Sequence, residues 1–105
     1  MSIPQADDPS SKADAEALAV ADLAASTGAD PSDIEIVAHE RVTWRNGSLG
    51  CGRPGDSYIQ MLVEGYRIVL RAGTDQYFYH GADGQQPFRC DRPDPGGAVD
   101  GIAGQ

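Results

Sequence analysis

The sequence predicts an α+β fold: one N-terminal helix packed on a small antiparallel sheet of about four to five strands, in two layers. Three observations point there. The run KADAEALAVADLAAST contains no Gly or Pro and is made largely of good helix formers. From Asp33 onward come short β-branched and aromatic segments separated by Gly- and Asn-bearing turns. Every Trp, Tyr and Phe lies between Trp44 and Phe88, so this second part must build the interior. A helix followed by a meander of strands is the α+β pattern.

The helix starts at Ser11, a suitable N-cap with Asp14 three residues on. Asp14 and Glu16 in its first turn complement the macrodipole. Gly28 suits the left-handed position after the last turn, and Pro31 stops any continuation. Ala17, Val20, Ala24 and Thr27, with Leu23 beside them, form the face expected to meet the sheet. The first strand is DIEIVAHERVTW, with Ile34, Ile36 and Ala38 on one side and Val37 and His39 on the other. An irregular stretch, RNGSLGCGRPG, follows, with turn signals at Asn46-Gly47 and Pro54-Gly55. YIQMLV and YRIVL read as two strands joined at Glu64-Gly65. QYFYH is the next strand beyond Ala72-Gly73-Thr74, and PFRC the last, beyond Asp83-Gly84. Residues 1–10 and 92–105 are polar and Pro- or Gly-bearing, so they are expected as disordered tails around a single domain at 11–91.

The chain has 105 residues, with 40% hydrophobic content and a net charge of −8. That length limits it to one modest core. Its arginines are scattered among acids and Lys12 is its one lysine. Phosphate recognition needs clustered cations, so nucleic acid is excluded as a partner, and an anionic membrane surface is disfavoured. Abundant Asp with one lysine also fits a high-salt cytoplasm, or the bias of a GC-rich genome. No segment reaches the roughly 18 apolar residues of a membrane span. The N-terminal residues lack the basic start and apolar run of a secretory signal, so the chain reads as cytoplasmic as written, with export as the alternative.

Few residues offer chemistry. Cys51 and Cys90 flank the β region and can form a disulfide closing a loop of about 39 residues, worth about 4 kcal/mol by chain entropy. Free thiols are the alternative; a redox pair is disfavoured because no C-x-x-C spacing is present. His39 and His80 could join the two cysteines in a zinc set, but the four ligands lack the paired spacing of zinc sites. The cofactor expectation is therefore none. Ser48 in GSLG does not match the G-x-S-x-G elbow. Asp56, Ser57 and His80 form only the kind of trio that any small protein offers, so no catalytic residue is assigned.

Two binding surfaces remain. The loop NGSLGCGRPGDSY could present Ser48, Leu49, Arg53 and Asp56 to a partner; the plainer reading is a long connection whose glycines satisfy turns. Tyr77, Tyr79 and His80 belong to an aromatic strand, which could carry an outer-face patch or simply supply core. The preferred function is a monomeric, non-enzymatic binding module for a protein or small ligand. A protease inhibitor acting through Leu49–Arg53 and a metal-binding protein using Cys51, His80 and Cys90 are the alternatives.

The string VTWRNGSLGCGRPG, followed by GYRI, YFYH and a closing Cys, resembles a family of small bacterial proteins with no established activity. Many members of that family look like secreted proteins or lipoproteins. The resemblance covers about Leu23 to Cys90, and its W-x-D/N-x-S-L-G-C-x-x-P-G loop is its most specific part. It implies that Cys51 pairs with Cys90 in an oxidising setting.

Overall fold

A computed structural model describes residues 12–52, 58–93, 97 and 98. Helix α1 spans Lys12–Thr27 and a single 3₁₀ turn spans Pro31–Asp33. The strands are β1 (Ile34–Trp44), β2 (Val63–Ala72), β3 (Asp75–Ala82) and β4 (Phe88–Arg89). They form one antiparallel sheet in the order β1-β2-β3-β4. The α+β expectation holds, with four strands. Among the described residues no helix is long and apolar enough to cross a membrane. Ser11, expected as the N-cap, and the expected tail at 1–10 lie outside the described residues.

The helix ends as its residues dictate. Gly28 takes φ 81° and its N–H reaches the Ala24 carbonyl at 2.9 Å. Asp30 then caps the 3₁₀ turn, accepting from the Ser32 N–H and hydroxyl at 2.9 Å each. The face that packs overlaps the expected one in part: Leu23 is buried, and Val20 and Ala24 are partly buried against the core. Ala15, Ala19 and Leu23 are buried, whereas Ala17 and Thr27 are exposed. Alanines surround this helix, so apolar spacing alone does not choose a face. Leu23, the large side chain of the buried stripe, sets the rotation.

On β1 the expected alternation breaks. A register shift between Ile36 and Ala38 bulges the strand at Val37. Ile34 therefore faces α1 together with His39, which the unbroken period would separate. Ile36 and Val37 are left 40% and 43% exposed.

The strand YIQMLV does not form. Tyr58–Leu62 precede β2, and Glu64-Gly65 lies within β2 instead of turning. Gly65 is needed for close approach: a Cβ there would stand 2.1 Å from the Gly81 carbonyl and 2.7 Å from Trp44 Nε1. The turns expected at Gly73 and Gly84 are present, both residues at positive φ.

The sheet is covered on both faces. Against α1 lie Ile34, Tyr66, Ile68, Leu70 and Tyr79, with Tyr77 partly buried beside them. The opposite face carries Trp44, Val42, His80 and Cys90, all buried, beneath the loop that follows β1. From the segment expected as a C-terminal tail, Gly97 and Ala98 return to the sheet. The Gly97 carbonyl accepts from the Arg45 N–H at 2.7 Å, and Ala98 bridges Trp44 antiparallel.

Candidate functional site

The loop after β1 is a latch, and its residues explain how it closes. Asn46 Oδ1 accepts from the Ser48 N–H at 2.9 Å and from its hydroxyl at 2.6 Å, which starts an Asx turn. The Leu49 and Cys51 N–H groups then reach back to the Asn46 and Ser48 carbonyls at 3.2 and 3.0 Å. Leu49 and Gly50 both adopt positive φ, 55° and 75°. This double left-handed step lowers Gly50 onto the Trp44 ring, where a Cβ would stand 2.4 Å from the nearest ring carbon. Cys51 is bonded to Cys90 with Cα atoms 5.8 Å apart. The disulfide ties the end of the latch to the segment beyond β4.

His80 receives the latch. Its Nδ1–H donates to the Leu49 carbonyl at 2.8 Å, since a carbonyl can only accept. Its ring stacks on Trp44 at 4.5 Å between centroids, and the Trp44 indole N–H donates to the Gly81 carbonyl at 3.0 Å. The side chain is 1% exposed, and Nε2 has no hydrogen-bond partner among the described residues. Burial pulls the His80 pKa below the ordinary imidazole value; the Leu49 bond opposes this and Arg67 adds to it.

These contacts bury part of the expected site, namely Ser48, Tyr79 and His80. Ser48 is buried and the Leu49 backbone turns inward, so neither is displayed in an extended reactive segment. Arg53 and Asp56 of the expected loop surface, and Ser57 of the trio with His80, lie outside the described residues. On the aromatic strand Tyr79 is fully buried, donating its hydroxyl to Asp22 Oδ2 at 2.7 Å. Burial first, then Asp22, pushes its phenol pKa up. Tyr79 and His80 therefore belong to the interior, on opposite faces of β3. Tyr77 alone of the three keeps partial exposure, with the Arg89 guanidinium 5.4 Å from its ring centroid. The zinc set does not assemble: both sulfurs are spent on each other, and His39 sits on the helix side. There its Nδ1–H donates to Glu16 Oε2 at 2.8 Å.

What remains open to a partner lies elsewhere. A shallow apolar groove of about 420 Å³ runs between α1 and β1, lined by Ala13, Glu16, Ala17, Val20, Pro31 and Ile36, with Ala21. Its α1 wall is a stripe at i, i+4, i+7 and i+8, adjacent to the buried Ala15–Ala19–Leu23 stripe. A second exposed feature is the ridge Ile59, Met61 and Leu62, 69%, 61% and 62% exposed, anchored where the Ile59 carbonyl accepts from the Gly47 N–H at 2.8 Å. Sequence reasoning missed both. The groove had a signal: α1 carries apolar residues over more than one face. The ridge was read instead as a strand.

Comparison with curated proteins and with solved structures finds no match. A family model does match, over residues 16–90, a span that begins at the groove carboxylate of Glu16 and ends at the disulfide sulfur of Cys90. The chain belongs to that family, the Domain of unknown function (DUF8738).

Proposed function

We propose that this domain is a non-enzymatic binding module that holds a segment of a partner protein in the groove between α1 and β1. The groove is the observation that carries the reading. Its walls are apolar side chains on regular elements, and α1 is fixed on the sheet by Leu23 and Tyr79, so little ordering is needed on binding. A small-molecule site encloses most of its ligand's surface. This groove is open, which suits a stretch of chain better. The two histidines are not brought together: His39 lies on the helix side with Glu16, and His80 is buried on the opposite face of the sheet beneath Leu49. The Cys51–Cys90 disulfide supports an oxidising, exported setting.

The test is a photo-crosslinking amino acid at position 17, in the groove, compared with position 59 on the ridge and position 76 on β3. The probes are irradiated in extract of the source organism. A discrete adduct at position 17, abolished by Ala21→Arg, is the expected result. Adducts at 59 with none at 17 would move the surface to the ridge and refute the groove, and identical patterns at all three positions would refute the binding reading.

A further inference from the structure

We infer that the groove's partner is an extended, lysine- or arginine-bearing apolar segment that adds as a fifth strand along the outer edge of β1; this rests on the binding-module reading above. Three features of the molecule lead there. The first is the edge. β1 is the terminal strand of the sheet, paired with β2 on one side, and on its other side the described strand neighbour is Ala98, at Trp44 alone. The Arg45–Gly97 hydrogen bond and the Trp44–Ala98 bridge show that this edge accepts an antiparallel chain. From Ile34 to Thr43 no described strand continues that pairing. Unpaired strand edges are templates for a further strand.

The second feature is the overhang. The buried stripe of α1 packs on β2 and β3 through Ile68, Leu70 and Tyr79. Its neighbouring stripe, Ala13, Ala17, Val20 and Ala21, instead faces Ile36 on the edge strand. A strand laid beside β1 at the usual spacing of about 4.8 Å would point alternate side chains toward that stripe. The apolar surface left open on β1 supports this: Ile36 and Val37 are the large apolar side chains that the bulge exposes.

The third feature, which selects the partner, is charge. Asp14, Glu16, Asp22, Asp30 and Glu35 lie in or next in sequence to the groove lining, and no lysine or arginine occurs between positions 13 and 40. Glu16 is met by His39 and Glu35 by Arg71. Asp14 Oδ2 is shielded from solvent and takes no hydrogen bond among the described residues. A second copy of this chain would bring another net −8 to the same edge, so a cationic partner is favoured over self-pairing.

The probe is a ten-residue peptide of alternating valine and lysine, blocked at both ends, titrated at low salt into the isotope-labelled 105-residue chain. Its glutamate-for-lysine counterpart is the control. The expected result has three parts. Amide shifts concentrate in Ile34–Val42 and along α1, the lysine peptide binds at least tenfold tighter than the glutamate one, and N-methylation of alternate peptide amides removes binding. Ala17→Arg/Ala21→Arg, at two exposed helix positions that tolerate arginine, weakens the lysine peptide at least tenfold while circular dichroism stays unchanged. Equal binding of the two peptides, full binding after N-methylation, or shifts confined to the latch overturns the inference. So does sedimentation showing the free chain to be a dimer through β1. Should the peptide fail while the position-17 probe still yields its adduct, strand addition is wrong and the binding-module reading stands; failure of both removes both.

Discussion

The two faces of this sheet solve the same burial problem with different chemistry. On the helix face, α1 presents Ala15, Ala19 and Leu23 to Tyr66, Ile68, Leu70 and Tyr79. That cover is a continuous hydrogen-bonded element, and its tie to the sheet is mainly apolar area. On the latch face the cover is a short loop without regular structure. It stays down because Gly50 fits against the Trp44 ring, Leu49 accepts from His80, and Cys51 is bonded to Cys90. On both faces of the sheet a large ring lies over a glycine of the neighbouring strand, Tyr66 over Gly81 and Trp44 over Gly65. The lesson is that a helix can cover a sheet by area alone, whereas a short loop needs a few directional contacts and a covalent tie.

The disulfide is where this contrast predicts the largest effect. The Cys51→Ala/Cys90→Ala variant should lose about 4 kcal/mol of stability, from a loop of 39 residues. More informative than the amount is the order of events. With the disulfide intact, urea unfolding followed by Trp44 fluorescence and by helical circular dichroism should coincide. Without it, the fluorescence transition should come first, because the latch opens as a local unit. Leu23→Ala, costing about 3 kcal/mol on the helix face, should lower both signals together. Coincident transitions in the disulfide-free variant would mean that the two faces unfold as one.

Opposite ends of the pH scale should separate the faces next. His80 on the latch face has a lowered pKa in the fold because of burial. The unfolded chain then binds a proton near pH 6.5 before the folded one does. Stability is kept above that value and falls as the pH drops below it, through the lowered folded pKa. Protonation would place a hydrogen on Nε2, which has no acceptor among the described residues. On the helix face the sign is reversed. Burial pushes the Tyr66 phenol up to about 12 and raises Tyr79 as well, with Asp22 adding to the latter. The unfolded chain loses those protons first, near pH 10, so stability present below pH 10 is lost as the pH climbs. Acid should therefore redden Trp44 fluorescence before helicity changes, and alkali should do the reverse. His80→Phe, which keeps a ring against Trp44, should flatten the response as the pH falls below about 6.5; an unchanged profile would show that the acid effect arises from other groups.

The same difference governs what could be read from the residues. The helix bounds were legible because Gly28 and Pro31 are local signals, and the hairpin turns because Gly73 and Gly84 are. The helix rotation was legible only in part, through Leu23, Val20 and Ala24, since alanine on several sides of α1 leaves the period degenerate. Gly65 was read as a turn because a sequence does not show that an indole from β1 will cross β2 at that residue. The latch is a matter of left-handed geometry at Leu49, a residue with no preference for it, so its inward turn and the burial of Ser48 and His80 were invisible. The pairing of the two cysteines was the expected one, implied by the family resemblance, and the latch shows how the chain brings them together. The stretch between positions 13 and 40 without lysine or arginine was in plain view, but it acquires meaning only once the bulge at Val37 and the terminal place of β1 in the described sheet are known.

The smallest effect is expected where neither cover reaches. Glu35 pairs across the sheet with Arg71 and Glu40 with Arg67, with Arg67 at 3.1 Å from Glu40. These pairs occupy the latch face beyond the latch itself, and Glu35, Glu40 and Arg71 are exposed. Water screens such pairs and the long side chains lose freedom in making them. Arg71→Gln should therefore change stability by no more than about 0.5 kcal/mol in urea unfolding, and less in high salt. The same substitution should sharpen a different comparison, because it releases Glu35 on the edge strand β1, on the face of the sheet opposite the groove. Affinity for the valine–lysine peptide should then rise at low salt, and fall back to the parent value as salt is added. A loss of stability above about 2 kcal/mol would show that the open end of this face is held by charge after all, and that the latch is only part of its cover.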